Sequence, residues 1–422
     1  MTAEARPEVL TIDRLGHLGD GIAATDRGQV FVPMTLPGER VEVRYEGADR
    51  NRARAIRILE DSPDRTAPIC RHFGDCGGCV LQHMAGPAYL DWKRDQVRHA
   101  LGHRGLDAEV DPTVPIGPGT RRRAVFAARR EKGRIRFGYH ARQSHRIVEI
   151  SECPILVPEI AGALDGLARL AAPLVPPKGE LRVAVTATLT GLDVAIDGPK
   201  LRPADLPASA AAAVQELDIA RLSVAGETAL QMAEPAVGLE GSALERIEVA
   251  VPPGAFLQAV AQAEATMARL VCEGVGKADR VADLYAGIGT FALRLARTAR
   301  VLAVEGDQAA LVTLALAARR ARGLKPVTTL KRDLARMPVT AGELAGFRAA
   351  VFDPPRAGAA AQAAELAGSR LPRIVAVSCN PATLARDLRI LVDGGYRIDR
   401  VTPVDQFLFS PHIEVVAQLS RG

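Results

Sequence analysis

Cys379 lies in the segment Val375-Ala-Val-Ser-Cys-Asn-Pro381, downstream of the glycine-rich turn Asp283-Leu-Tyr-Ala-Gly-Ile-Gly289 and of the tetrapeptide Asp353-Pro-Pro-Arg356. A glycine turn, an acidic Pro-Pro segment and a cysteine in this order suit methyl transfer with a cysteine nucleophile. A methyl donor alone can alkylate a nitrogen or oxygen lone pair, but C5 of a uracil ring has none. A thiolate adding at C6 would push electrons into the ring and make C5 reactive.

A second set of cysteines points to a metal. Cys70, Cys76 and Cys79 are spaced C-x5-C-x2-C within Pro68-Ile-Cys-Arg-His-Phe-Gly-Asp-Cys-Gly-Gly-Cys79, and Cys153 follows far downstream in Glu152-Cys-Pro154. Glycines there let the chain fold tightly around a ligand. Four thiolates suit either tetrahedral zinc or an iron–sulfur cluster, and the uneven three-plus-one spacing tilts the reading toward [4Fe–4S] over the paired C-x2-C pattern of zinc sites. Cys272, in the apolar stretch Ala265-Thr-Met-Ala-Arg-Leu-Val-Cys272, reads as a core residue.

These residues need a scaffold, and 422 residues are enough for two or three domains. No run of apolar residues is long enough to span a membrane, and the start, Met-Thr-Ala-Glu-Ala-Arg-Pro, lacks the features of a signal peptide, so a cytoplasmic protein without a membrane partner is expected. The short alternating runs Gln29-Val-Phe-Val-Pro33 and Glu39-Arg-Val-Glu-Val-Arg-Tyr45, separated by the Leu36-Pro-Gly38 turn, predict a small β-barrel over residues 1–60. Asp61-Ser-Pro-Asp-Arg-Thr-Ala-Pro68 reads as a linker. A central α+β region over residues 61–245 mixes basic strands with helix-prone stretches, Ile160 to Leu174 and Ala208 to Leu217. Between Arg121 and Arg146 stand ten Lys or Arg and one acid, Glu131, a density that suits phosphate contacts, the alternative being a solvated strand pair.

Over residues 246–422 the pattern becomes apolar strand, turn, helix. Val281-Ala-Asp-Leu-Tyr285, Val301-Leu-Ala-Val-Glu305, Ala349-Ala-Val-Phe-Asp353 and Ile374-Val-Ala-Val-Ser378 each end in polar residues. This predicts a Rossmann-like α/β sheet with ligands at the carboxyl ends of its strands. The turn ending at Gly289, before a helix over Phe291–Arg297, would let a cofactor approach the backbone, and Glu305 at the end of the next strand could accept hydrogen bonds from both ribose hydroxyls. A missing third glycine argues against a nicotinamide dinucleotide and for S-adenosylmethionine.

Taken together, Phe256-Leu-Gln258, Asp283-Leu-Tyr-Ala-Gly-Ile-Gly289, Glu305, Asp353-Pro-Pro-Arg356, Ser378-Cys-Asn-Pro381 and His412-Ile-Glu414 resemble, in order, the RNA 5-methyluridine methyltransferase family. The amino-terminal part resembles a TRAM domain, an OB-like barrel, through Leu36-Pro-Gly-Glu39. The resemblance implies a class I S-adenosylmethionine-dependent catalytic domain. It implies that Gln258, Tyr285, Thr290, Glu305, Asp333 and Asp353 hold the methyl donor, and that Cys70, Cys76, Cys79 and Cys153 bind a [4Fe–4S] cluster in an iron–sulfur domain. Relatives usually read Phe-Pro-His-Thr where this chain has Phe407-Leu-Phe-Ser410. Glu414 keeps its register.

On this basis a uridine is extruded from folded RNA, Cys379 adds to C6, and Glu414 removes the C5 proton after methyl transfer. The apolar Val415-Val-Ala417 beside Glu414 would raise its proton affinity, and Asp405 and His412 are next in line as base. Two other readings compete: amino-group methylation of a base, which needs no cysteine, and a non-catalytic RNA-binding or assembly factor. A TRAM-like barrel together with cluster cysteines resembles 23S rRNA methyltransferases, with tRNA as the alternative substrate. A monomer is expected.

Overall fold

The apolar runs between residues 281 and 378 are buried on both faces, as a parallel sheet between helical layers requires. In the computed structural model, which describes residues 7–46, 51–239 and 246–421, they form part of a seven-stranded sheet. Residues 1–6, where a signal peptide was sought, and the expected boundary at residue 245 lie outside the described residues. The strands are β1 (Arg280–Leu284), β2 (Arg300–Glu305), β3 (Val327–Lys331), β4 (Ala349–Phe352), β5 (Arg373–Ser378), β6 (Arg397–Val404) and β7 (Glu414–Ser420). Their order is β3-β2-β1-β4-β5-β7-β6. Pairing is parallel from β3 through β5, and β7 runs antiparallel to both its neighbours. The reversal has a direct consequence: the amino end of β7, with Glu414, lies at the same edge as the carboxyl ends of the other six strands.

Helices Ala261–Val275, Gln308–Arg320, Ala360–Gly368 and Pro381–Asp393 cover the sheet. Pro381–Asp393 starts cleanly because the Asn380 side chain accepts from Ala382 N and proline fills the first turn. The helix expected over Phe291–Arg297 is confined to Ala292–Leu295, because Arg297 and Thr298 bond back only three residues, tightening its end. Cys272 is exposed, contrary to its expected place in the core: Leu270, Val271, Gly274 and Val275 take the inward face of Ala261–Val275 and turn residue 272 outward. Among the described residues no helix is long and apolar enough to cross a membrane.

The barrel is present. Two three-stranded sheets close over Leu10, Ile12, Val30, Val32, Val41 and Val43. In its Leu36-Pro-Gly-Glu39 turn, Gly38 has φ +84°, and the fully buried Glu39 carboxylate accepts from Leu36 N at 2.9 Å. Arg65, from the linker, pairs with that same carboxylate, so residues 61–68 are irregular but anchored. The central region is a second seven-stranded sheet packed on Leu164–Ala171 and Ala210–Glu216.

Eight of the ten basic residues expected to meet phosphate fall into two groups. Arg122, Arg129, Arg136, Arg142 and Arg146 are engaged in ion pairs with Glu264, Glu131, Glu149, Asp20 and Asp75 among others. Arg130, Lys132 and Arg134, at the tip of the hairpin Arg123–Glu131/Arg134–His140, are exposed, with no ion pair among the described residues. Among the described residues of the run, this tip is the exposed part that is free for a polyanion, while Arg121 and Arg123 line the four-cysteine cavity.

One helix joins the parts. Gly86–Gly102, which follows the three clustered cysteines, sends Val97 and Leu101 into the catalytic core. The segment after it pairs in parallel with β6, at Val110 with Val401 and Val114 with Val404, covering the sheet edge.

Candidate active site

Five strand ends converge on one edge, and each contributes a group singled out by its type. After β1 the chain turns sharply: Tyr285 has φ +64° and Gly287 and Gly289 have φ +54° and +100°. A Cβ on Gly289 would lie 2.9 Å from Leu293 and Leu314, whereas one on Gly287 would meet nothing within 4 Å, so the turn is closed toward the core and open on the ligand side. After β2, Glu305 accepts from Gly287 N at 3.0 Å, Gly306 N at 2.7 Å and Asp307 N at 2.9 Å, which fixes its carboxylate across the turn. Asp333 follows β3, exposed, and Asp353 follows β4.

Buried ion pairs support this edge from behind. Glu264 bonds Arg122 at 2.7 Å and Arg294 at 3.1 Å. Arg122 also donates to Gln258 O at 3.0 Å and Arg294 to Thr290 O at 2.8 Å. Removing one partner of such a buried set costs about 3–5 kcal/mol. Asp283 is fully buried, and neither of its oxygens has a hydrogen-bond partner that meets normal geometry. Burial raises its proton affinity far more than the nearby Ala292 amide lowers it. The open face of the glycine turn, with Glu305 fixed beside it, leaves the backbone approachable by a cofactor such as S-adenosylmethionine.

Cys379, Asp353 and Glu414 stand near one another at this edge. Burial, followed by the charges of Glu414 and Asp353, pushes the Cys379 thiol up to about 11. Burial, with a smaller contribution from Asp353, holds Glu414 well above the usual carboxylate range, and Gln406 opposes it. Asp353, partly accessible but with its carboxyl crowded by protein, is pushed up to about 7 by desolvation against the Gln258 hydrogen bond. The two carboxyls are linked by two amides: Gln258 Nε2 donates to Asp353 Oδ2 at 3.2 Å, and Gln406 Nε2 donates to Gln258 Oε1 at 2.7 Å and to Glu414 Oε1 at 3.1 Å. Gln258, selected from the sequence for the methyl donor, thus also touches the reacting carboxyls. Gln406 was missed, although it stands next to Asp405 in a segment the sequence had marked.

Of the alternative bases, Asp405 is committed elsewhere. Its Oδ1 meets Lys93 Nζ at 2.9 Å and accepts from Tyr89 Oη at 3.0 Å, and Lys93 is 0% exposed. Lys93 also donates to Phe407 O and His412 O, and Phe409 N donates to Tyr89 Oη at 2.7 Å. Two residues one turn apart on Gly86–Gly102 therefore grip the whole loop before Glu414. Phe409 holds a left-handed φ of +61°, and its carbonyl accepts from Val80 N at 2.8 Å and Leu81 N at 3.2 Å. Leu408-Phe409, where relatives have Pro-His, thus packs against the segment just after Cys79. His412 is kept neutral by burial and by Arg356, Lys93 and Arg121.

Cys70, Cys76, Cys79 and Cys153 are half-buried and line one cavity of about 440 Å³, together with Arg121, Tyr139, Gln406 and Phe407. Gly77 lets this chain approach the strand after His140 closely: a Cβ there would lie 2.8 Å from His140 O. Burial comes first in raising Cys79, to about 12, and Cys153, to about 11, and each is raised further by other thiols of the set. Among the described residues no three His, Cys, Asp or Glu side chains converge on a point as ligands of a single ion would.

Residues 210–422 match the tRNA (Uracil-5-)-methyltransferase family, and residues 8–57 match the TRAM domain. An uncharacterized RNA methyltransferase of Brucella suis is 51% identical over 98% of each chain. The 23S rRNA (uracil(1939)-C(5))-methyltransferase RlmD of Chromohalobacter salexigens is 33% identical, across 99% of this chain and 90% of its own. The crystal structure of Pyrococcus abyssi tRNA (uracil-54, C5)-methyltransferase with S-adenosyl-L-homocysteine shares the fold, with a TM-score of 0.73 and 24% identity over 98% of this chain and 100% of that one. With Cys379, the carboxyls and the open glycine turn gathered at one sheet edge, these matches show that the chain belongs to the RNA uracil-C5 methyltransferase family and is an S-adenosylmethionine-dependent enzyme of that kind.

Proposed function

We propose that the protein methylates C5 of one uridine in 23S rRNA through a covalent bond between Cys379 Sγ and C6. The observation that carries this reading is the grouping of Cys379 and Glu414 with Asp353, the two carboxyls joined through Gln258 and Gln406. Bound S-adenosylmethionine supplies an electrophilic methyl group. Gln258, Tyr285, Thr290, Glu305, Asp333 and Asp353 hold it, with Asp283 beneath the turn. Cys379, its proton given up to solvent, adds to C6 as a thiolate and the C5=C6 electron pair shifts to C5, which takes the methyl group as S-adenosylhomocysteine leaves; the Glu414 carboxylate then takes the C5 proton, the C5=C6 double bond re-forms, and the Sγ–C6 bond breaks to release the thiolate. Burial of Glu414 suits it to accept that proton near neutral pH.

Cys70, Cys76, Cys79 and Cys153 hold a [4Fe–4S] cluster. When bound, it supplies a cross-link between the segment before Gly86–Gly102 and the strand region around Cys153, and it offsets the mutual repulsion of the thiolates. The donor set fits in kind: four thiols line one cavity, and Glu152, which also lines it, is engaged by the Arg71 side chain and backbone. The barrel and the exposed Arg130, Lys132 and Arg134 tip contact RNA phosphates, and the chain acts as a monomer in the cytoplasm. Full-length likeness to the 23S rRNA enzyme of Chromohalobacter supports the choice of RNA. Mass mapping of 5-methyluridine in a strain lacking the gene tests it: one site in 23S rRNA should lose its methyl group while tRNA is unchanged. Loss from tRNA with intact 23S rRNA would contradict it.

A further inference from the structure

Gln406 is 2% exposed, and its amide is the end of a chain of hydrogen bonds with a defined direction. The chain starts at Asp353 Oδ2, which takes an N–H from Gln258 and so turns Gln258 Oε1 toward Gln406. That oxygen takes an N–H from Gln406 Nε2, and Glu414 Oε1 takes another from the same nitrogen. Two acceptors on one nitrogen fix the amide orientation from its partners. In the state in which Glu414 acts as base it is a carboxylate, which again demands the N–H side. Gln406 Oε1 is left over: a buried carbonyl oxygen with no partner among the described residues, on a side chain that stands between Glu414 and the cavity of the four cysteines.

An unpaired acceptor inside protein costs about 1–3 kcal/mol unless something donates to it. Its position narrows the donor. Gln406 touches Glu414, which faces C5 of the pyrimidine, and the polar edge that continues from C5 runs through O4 to N3. Uracil carries a hydrogen on N3; cytosine carries a lone pair there. We propose that Gln406 Oε1 accepts the N3–H of the extruded base and is the residue that selects uracil over cytosine. This rests on the assignment of Cys379 to C6 and Glu414 to C5. Two acceptors would face each other if cytosine entered, leaving both buried and unpaired. A site built to pair a substrate N–H rejects an analogue without it by as much as about 10⁴-fold.

The test uses full-length protein and RNA fragments carrying uridine or N3-methyluridine at the methylated position, with methyl incorporation as readout. It does not depend on whether a covalent adduct is trapped. The wild-type protein should refuse N3-methyluridine by at least about 10³-fold. Gln406→Ala, which removes the acceptor and opens space for the methyl group, should slow uridine while raising the N3-methyluridine rate, so that their ratio falls at least about tenfold. Gln406→Met, which keeps the volume and drops both polar atoms, should slow uridine without admitting N3-methyluridine. Wild-type affinity for S-adenosylmethionine in both variants would establish that the site is intact. Equal slowing of both RNAs by Gln406→Ala would overturn the proposal and make Gln406 only a brace for Glu414. Failure of Cys379 or Glu414 variants to affect catalysis would overturn the underlying assignment and not this ratio.

Discussion

At the catalytic edge Asp353, Cys379 and Glu414 stand at the ends of strands buried on both faces, whereas Cys70, Cys76 and Cys79 stand in turns and isolated bridges. Strand ends in a packed sheet cannot shift without moving the core, so the reacting groups keep their positions whether or not RNA is present. The cysteine segment has no such frame. Its ion pairs, Arg71 with Glu152 and Arg146 with Asp75, are largely exposed and worth little. Burial and mutual repulsion raise the protonation of Cys79 and Cys153, so ionised thiols there need a cationic centre. One region is preorganised by the fold; on the proposed reading the other is completed by the cluster it binds. Residues 405–412 touch both, through Gln406 to Glu414 and through Phe409 to Val80 and Leu81.

The sharpest way to break this contrast is at the base. Glu414→Gln should bind RNA and methyl donor and leave the fold unchanged, yet lower turnover by about 10²–10⁴-fold. A methylated RNA–protein adduct should accumulate on natural uridine, seen as a band that survives denaturation. Turnover at the wild-type rate would move the base elsewhere.

The cysteine side should respond in stability before chemistry. Anaerobically purified protein should hold about four irons per chain, and Cys79→Ser should lose most of them. Its melting temperature should fall by several degrees, because ligation there holds a segment that has no strand or helix of its own. Stoichiometric zinc without iron would refute the cluster.

The smallest effect concerns pH. Asp353 is pushed up to about 7, against an ordinary value near 3.9. A carboxyl with a raised folded-state value contributes stability that is complete below the ordinary value and is lost as pH rises through the raised one. Between about pH 4 and pH 8 the melting temperature should therefore drift down by a few degrees. In Asp353→Asn, which cannot ionise, that drift should shrink. An identical slope in the two proteins would place the raised group elsewhere.

Much of the catalytic edge was legible because its groups end apolar runs: Glu305 and Ser378 close their strands, and Asp353 and Cys379 come directly after theirs. The barrel was legible through alternation and the Leu36-Pro-Gly-Glu39 turn. Lys93, Tyr89 and Gln406 were not, because their roles come from contacts hundreds of residues apart or from a hydrogen-bond direction, neither of which leaves a local period. The basic run misled in part for the same reason. Arg122, Arg142 and Arg146 read as free charges along the chain, yet Glu264, Asp20 and Asp75 approach them only in the fold.

The central claim is that Cys379 bonds to C6 of a uracil. RNA carrying 5-fluorouridine at the methylated position, incubated with wild-type protein and S-adenosylmethionine, tests it most directly, because fluorine at C5 cannot leave as the proton does. The account predicts a denaturation-resistant complex of one RNA per protein, with mass spectrometry locating the bond at Cys379 and no complex from Cys379→Ser. A wild-type protein that methylates the uridine form of the same RNA but traps no fluorinated complex, or traps it through another residue, would contradict it.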